Sequence, residues 1–363
     1  MAWEASSCTY NLFAEEEGLV MAQMIPGHAQ EEDSKAFLQR RGILFRKTAS
    51  FFVSPLALGT HLGEMNGEDS LRYQEAIMHA FNKGINMIDT ALNYRGMRSE
   101  RDIGICLMKA IVDVAVLRRE ELVISTKAGI LPGDIDAGLV PKDYLQNILL
   151  KREIIHPEDI HSFRHHRHVL SPSYFDFAIG ESRKHLNLET IDIYYVHNPE
   201  YSLIPLGERE FYRQLVRLFG RLEEQVRQGH IRFYGIATWD GLISSPAAEG
   251  YLSLEKLVAC AREAGGDGHH CAFIQLPYSP GRLAAAQMKN QQVKGKWLTA
   301  LEAATELGLY ITVSAPLQAG RALVRDDAKT ILSGIIHTDG ILAAMVGMKQ
   351  REHVTENTSV ILS

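Results

Sequence analysis

The sequence predicts an α/β chain folded as a single (β/α)8 TIM barrel, and three observations carry this. From about Val53 onward, short β-rich runs alternate with segments of helical period. Eight such runs can be counted, and most read as near-continuous apolar stretches, as strands buried on both faces do. The chain has 363 residues, and barrels of this class run from roughly 250 to more than 400 residues with insertions. Eight βα units in this order fit a closed barrel better than a doubly wound open sheet.

In chain order, residues 1–44 come first. They show no clear period and mix acidic, apolar and Gly/Pro positions. They are expected to form an N-terminal extension outside the barrel, poorly ordered as chain termini often are, with Met21 and Met24 as alternative starts. The barrel domain is expected over 45–363. Its strands are predicted at Pro55–Gly59, Asn86–Thr90, Leu122–Lys127, Ile191–His197, Arg232–Thr238, Ala272–Tyr278, Leu309–Ala315 and Ala343–Gly347.

Amphipathic helices are predicted between them. One carries Tyr73, Ile77, Ala80 and Phe81 on one stripe and stops at Gly84. A second carries Ile103, Cys106, Leu107, Ala110, Ile111 and Val114. Ser99, with Asp102 three residues on, predicts its capped start. A third carries Phe211, Leu215, Leu218, Leu222 and Val226, and Gly229 ends it.

The segment from Gly129 to Pro172 is far longer than an ordinary βα connection. It predicts a helix around Asp143–Leu150, and as a long barrel loop it is a candidate lid. Within it lies HSFRHHRH, with His161, His165, His166 and His168. Arg164 and Arg167 stand among these histidines and no carboxylate has helical spacing to them, so a solvated loop is expected and no metal site.

Composition narrows the function. With 46% hydrophobic residues the chain can build a sizeable core, and a net charge of -6 argues against nucleic-acid binding, which favours basic patches. Cys8, Cys106, Cys260 and Cys271 form no CxxC pair, which argues against a disulfide framework or zinc site and fits a reducing compartment. No run reaches the ~18 apolar residues of a membrane span. The acidic N-terminus (Glu4, Glu15, Glu16, Glu17) lacks a signal-peptide pattern, so the cytoplasm is the expected location.

Four positions carry chemistry. Asp89 ends the second predicted strand in MIDTALNYR, and Tyr94 follows it in the loop. Lys127 ends the third strand in VISTK, and His197 the fourth in IYYVHNP. Singly, each has a plain structural explanation: a helix cap, an exposed lysine, a core histidine. In a barrel, however, strand C-terminal ends converge on one face, where active sites sit. Their joint occurrence at consecutive strand ends points to one pocket.

In these stretches the chain resembles the aldo-keto reductase family. The resemblance rests on GINMIDTALNYRGMRSERDIG, ELVISTKAG, LETIDIYYVHNPE, RQGHIRFYGIAT, FIQLPYS, APLQAGRAL and VGMKQREHVTEN, in family order across Val53 to Asn357. It implies a barrel, a nicotinamide cofactor and the tetrad Asp89, Tyr94, Lys127 and His197. Physical chemistry supports those roles independently. Carbonyl reduction needs a hydride donor and an acid for the developing alkoxide. A free phenol has a pKa of about 10, and an ammonium at Lys127 is expected to lower that of Tyr94. Asp89 would hold Lys127, and His197 would orient the carbonyl. No side chain supplies hydride, so a cofactor must.

The resemblance also implies where that cofactor lies. The segment after strand eight, with Gly347, Met348, Lys349, Arg351, Glu356 and Asn357, would take the adenosine end. Lys349 stands where a basic residue meets a 2′-phosphate, which favours NADPH over NADH, and a helix start near Arg351 would add its dipole. The loop Leu317, Gln318, Gly320 and Arg321 would cover the pyrophosphate, and Gln275 would meet the carboxamide. No GxGxxG follows the first strand, so a Rossmann reading lacks its main signal.

Two departures concern the nicotinamide: Ala237 and Thr238 replace Ser-Asn after strand five, and Ser314 replaces a tyrosine in strand seven. The chain is also expected to lack the substrate-closing loop after Asn357, leaving an open pocket or one closed by the 129–172 insertion. Phe163, Tyr201 and Trp239 either line that pocket or pack as ordinary aromatics. The expected partner is a small carbonyl or alcohol, with no nucleic acid and no membrane. An NADPH-dependent reductase of an aldehyde, ketone or sugar carbonyl is the leading expectation. An NADPH-sensing regulatory subunit and a non-redox elimination or epimerisation enzyme are the alternatives.

Overall fold

A computed structural model describes residues 24–363 of the chain. Eight strands form a closed barrel: β1 (Leu56–Gly59), β2 (Met87–Asp89), β3 (Val123–Ala128), β4 (Ile191–His197), β5 (Ile231–Ala237), β6 (Cys271–Pro277), β7 (Tyr310–Ser314) and β8 (Ile341–Gly347). They run round the barrel in chain order, every pair parallel, and β8 closes on β1 from Ala344↔Leu56 to Gly347↔Gly59. Parallel neighbours require crossovers, and a helix follows each strand: α1 (Gly67–Asn82), α2 (Arg98–Leu107), α3 (Pro172–Leu186), α4 (Glu208–Arg227), α5 (Leu254–Gly265), α6 (Ala300–Glu306), α7 (Ala328–Ile336) and α8 (Arg351–Thr358). All eight predicted strands are present to within about two residues at either end.

The period of two along a strand sorts side chains into two cores. Ala57, Met87, Val123, Ile193, Tyr195, Phe273, Ala343 and Met345 form one buried cluster inside the barrel. Their neighbours Leu56, Leu58, Ile88, Ile124, Tyr194, Val196 and Ile274 join the cluster shared with the helices. The helices bury the predicted stripes: Tyr73, Ile77, Ala80 and Phe81 on α1, and Phe211, Leu215, Leu218 and Leu222 on α4. Asn66 caps α1, its Oδ1 accepting the Asp69 N–H at 2.9 Å. No helix among the described residues is long and apolar enough to cross a membrane. Cys106, Cys260 and Cys271 are buried free thiols, and Cys8 lies outside the described residues.

Three expectations need correction. First, residues 24–44 are not an extension outside the fold. Ile25 pairs with Leu188, the Ala29 N–H donates to Asp192 Oδ1 at 2.8 Å, and the helix Glu31–Gln39 buries Phe37 and Leu38 completely. Ile43 pairs with Leu362. A hairpin of Arg46–Lys47 and Phe52–Val53 follows, and Phe51 and Val53 join the interior core. Phe51 stacks on Phe273 with ring centroids 6.1 Å apart, so this segment plugs the barrel at the end where the strands begin. The remainder of the expected extension, 1–23, lies outside the described residues.

Second, Ser99 does not cap α2. Met97 precedes the helix, while Ser99 is buried and donates from Oγ to the Thr60 carbonyl at 2.8 Å. Asp102 accepts from Arg95 and Gln74. The next residue, Glu100, is fully buried and accepts from Thr126 Oγ1 at 2.6 Å. The serine and glutamate of the quoted motif therefore lock α2 onto the ends of β1 and β3.

Third, the histidine-rich stretch is not a solvated loop. It is a hairpin, His161–Phe163 paired with His166–His168, and both outer histidines are buried. The predicted helix of the insertion is present as Pro141–Tyr144 continuing through Leu145–Leu150. Among the described residues, no group of three His, Cys, Asp or Glu side chains stands ready to hold a metal ion.

Candidate active site

The inward period continues to the strand ends. Counting in twos from Met87 reaches Asp89; from Val123 it reaches Ser125 and Lys127; from Ile193, Tyr195 and His197; from Phe273, Gln275. These side chains form the last layer of the barrel interior, where polar groups replace apolar ones. Lys127 is fully buried, and its Nζ donates to Asp89 Oδ2 at 2.6 Å and to the Thr90 carbonyl at 2.7 Å. Asp89 Oδ1 accepts from Ser125 Oγ at 2.8 Å and from Gln275 Nε2 at 3.0 Å. A buried charge without partners is costly; here both carboxylate oxygens and the ammonium are engaged.

Tyr94 stands over this pair. Lys127 Nζ lies 5.0 Å from its ring centroid, and the His197 ring meets it edge-on at 5.8 Å and 77°. His61, from the loop after β1, packs on the same phenol at 4.6 Å. Three successive residues after Tyr94 have left-handed backbone: Arg95 (φ 50), Gly96 (φ 61) and Met97 (φ 71). Two are not glycine, and such conformations persist only where surroundings over-determine them. Arg95 supplies that restraint. Its guanidinium is buried, donates to Asp102 Oδ2 at 2.7 Å, to the Glu64 carbonyl at 3.0 Å and to Ser70 Oγ at 2.9 Å, and lies over the Tyr73 ring.

The electrostatics are lopsided. Burial pushes the Tyr94 phenol upward, the Lys127 ammonium draws it back, and the net direction is up. The expectation that Lys127 would lower this pKa therefore holds for its own contribution and not for the sum. Burial opposes the charge on Lys127, but Asp89 and Tyr94 outweigh it and raise that pKa. Burial, then Lys127, holds His197 well below the ordinary histidine range, so it is neutral.

Of the expected cofactor residues, Thr238 and Gln275 touch this layer, and the rest lie at the ends of β7 and β8 and along the segments that follow them. Thr238 follows β5; its N–H donates to the Gln275 carbonyl at 2.8 Å, while its hydroxyl is buried with no partner. Gln275 turns its amide N–H to Asp89 and Thr312. Ser314 ends β7, and Leu317 leads into a short turn in which Gln318, Ala319 and Gly320 all have positive φ. Gln318 Nε2 donates to Ser279 Oγ at 2.7 Å and Arg321 is exposed. Gly347 ends β8, Met348 is buried, and α8 begins at Arg351 with Glu356 exposed and Asn357 buried. Lys349 is not free: its Nζ donates to Asp69 Oδ2 at 2.8 Å. Arg321 and Arg351 pair with no carboxylate among the described residues.

The aromatics divide. Tyr201 packs against Phe163 at 5.1 Å and stacks on His166 at 5.2 Å, joining the insertion hairpin to the segment after β4. Trp239 is exposed beneath the Arg282 guanidinium at 4.5 Å. The sequence reading missed Arg95, His61 and Glu200. Arg95 and Glu200 lay inside quoted motifs, directly after Tyr94 and three residues after His197, and carried that signal; His61 carried none. Glu200 is buried and accepts the Trp239 and Asp240 N–H groups at 2.7 and 3.1 Å. Burial pushes its carboxyl up to about 7 against those bonds.

The Aldo/keto reductase family model matches residues 55–245, more than half of the chain. No curated protein matches the sequence. Solved structures resemble it in fold. An aldo/keto reductase of Klebsiella pneumoniae, in complex with NADP and acetate, is 19% identical with a TM-score of 0.56, covering 88% of this chain and 91% of its own. The holo form of an aldo-keto reductase of Bacillus halodurans is 18% identical with a TM-score of 0.55, covering 88% and 90% respectively.

Proposed function

The chain belongs to the aldo/keto reductase family, and on that premise we propose that it is an NADPH-dependent oxidoreductase reducing an aldehyde, ketone or sugar carbonyl, with Tyr94 as the proton donor. The observation that carries this reading is the buried Lys127–Asp89 pair beneath the Tyr94 phenol. The orphaned Thr238 hydroxyl and the exposed Arg321 and Arg351, which meet no carboxylate among the described residues, fit a ligand with an amide-bearing ring at one end and phosphates at the other. The two solved relatives named above bear the same cofactor reading in one case, a complex with NADP. When bound, reduced nicotinamide supplies hydride to the carbonyl carbon.

This chain's residues do the rest. Tyr94 gives its phenolic proton to the carbonyl oxygen as negative charge develops there. The phenolate left behind faces the Lys127 ammonium, whose charge Asp89 secures. Ser125 and Gln275 occupy the second oxygen of Asp89, so the carboxylate cannot swing away from Lys127. Neutral His197 has one ring N–H to give to the carbonyl oxygen, orienting it against Tyr94.

The 2′-phosphate reading has a competitor in Asp69, which already holds Lys349. Lys349 would exchange Asp69 for the phosphate or share it between the two. The test is a titration of the wild type and Lys349→Met with NADPH and with NADH, alongside turnover on a carbonyl panel. Turnover with NADPH, and a loss of NADPH but not NADH affinity of roughly tenfold in the variant, are expected. Turnover with no carbonyl, or equal affinity losses for both cofactors, would contradict the respective parts.

A further inference from the structure

The insertion reaches the candidate site through a chain of hydrogen bonds. His168, at the end of the insertion hairpin, is fully buried. Its Nε2 lies 2.7 Å from the backbone carbonyl oxygen of His197. A carbonyl oxygen only accepts, so this nitrogen carries the proton. Its Nδ1 lies 2.6 Å from Ser202 Oγ. Burial pushes the His168 pKa down to about 3, so the ring is neutral and Nδ1 is the acceptor of the Ser202 hydroxyl proton. Ser202 Oγ in turn accepts from His161 Nδ1 at 2.7 Å, from the opposite strand of the hairpin. One direction of donation runs through the whole chain: His161 to Ser202, Ser202 to His168, His168 to the His197 carbonyl.

The His197 side chain lacks such support. Its Nδ1 is buried and makes no hydrogen bond among the described residues. The ring's placement against Tyr94 therefore depends on its backbone and on packing. The chain next to His168 is shaped for this approach. Gly129 has φ +136, and a Cβ there would stand 2.5 Å from His168 Nε2 and 3.0 Å from the His197 carbonyl oxygen. Only glycine leaves that slot open.

We propose that His168, fixed in a single tautomer by the His197 carbonyl and anchored at Nδ1 by Ser202 and His161, is a positioning residue that holds His197 at the angle its role requires. The 129–172 insertion thereby acts on the site through the backbone of His197. This rests on the reductase reading above for its kinetic consequences, but not for its tautomer.

The experiment combines kinetics and nitrogen NMR of the full chain. His168→Leu, His168→Gln and Ser202→Ala are made in the wild type, and His168→Leu also in a His197→Ala background. His168→Leu is expected to lower kcat by about tenfold or more with NADPH affinity unchanged. His168→Gln, which retains an N–H for the carbonyl, is expected to recover most of that loss. In the His197→Ala background His168→Leu should cost nothing further. Equal losses in both backgrounds, or wild-type kcat in His168→Leu, would overturn the proposal. The spectrum of the wild type should show His168 neutral with its proton on Nε2, and Ser202→Ala, which removes the bond that holds Nδ1 while leaving the carbonyl bond, should keep that tautomer and shift the His197 ring signals. A proton on Nδ1, or His197 signals unmoved by Ser202→Ala, overturns it even if the wild type reduces no carbonyl or His168→Leu does not fold.

Discussion

A phenol is a weak acid, and the surroundings of Tyr94 make it weaker still: burial lifts its pKa above the ordinary value despite Lys127. For reduction this is the useful direction, because the proton donor must stay protonated. The donor form exists below the pKa and is lost as pH rises through it. The raised value predicts a reduction kcat that stays flat past pH ~10, where an ordinary phenol titrates, provided chemistry limits turnover. A fall centred near neutrality would show that another group gives the proton. Lys127→Met removes the counter-charge from both partners. It should lower kcat and, by leaving Asp89 buried and unpaired, destabilise the fold by about 3–5 kcal/mol in denaturant titration. Stability equal to wild type would mean that the pair contributes little to the fold.

Among the elements, the loop between β2 and α2 does the most positioning per residue. It holds Tyr94 through Arg95, whose buried guanidinium ties three left-handed residues to Asp102, Ser70 and the Glu64 carbonyl. Arg95→Leu strands Asp102 in the interior. The expected cost is about 3–5 kcal/mol in chemical denaturation, with a further drop in kcat in the fraction that stays folded. A variant with wild-type kcat would show that Tyr94 is placed by its own packing between His61 and His197. α2 makes the same point structurally: Ser99 and Glu100 bond to the ends of β1 and β3, and neither caps the helix.

At the scale of the molecule, the barrel separates function from closure. Chemistry gathers where the strands end, and residues 24–53 close the other end with Phe51 in the interior core. Phe51→Ala should cost roughly 3–5 kcal/mol in unfolding experiments and leave kcat unchanged. A changed kcat at preserved stability would mean that the two ends communicate. The same division explains what the sequence disclosed. The eight strands were legible because each is buried on both faces and reads as an apolar run, and Asp89, Lys127 and His197 were legible because each breaks such a run at its end. Residues 24–44 were not, because their burial rests on Asp192, Leu188 and Leu362, distant in sequence, and leaves no local period. HSFRHHRH was read as solvated because histidine and arginine are polar on average. Its outer histidines are buried by Ser202 and the His197 carbonyl, which lie 29 to 41 residues away. The net pKa of Tyr94 was misjudged for a related reason: Lys127 was visible in the sequence, but the degree of burial was not.

The central claim is that Tyr94 gives the proton. Its most direct test is NADPH oxidation against aromatic aldehydes, methylglyoxal, aldoses and bulky ketones by the wild type and Tyr94→Phe, with cofactor binding to both followed by fluorescence. The account predicts turnover of at least one carbonyl by the wild type, its loss by about two to four orders of magnitude in the variant, and cofactor binding largely intact in both. Near-wild-type turnover by Tyr94→Phe would contradict it.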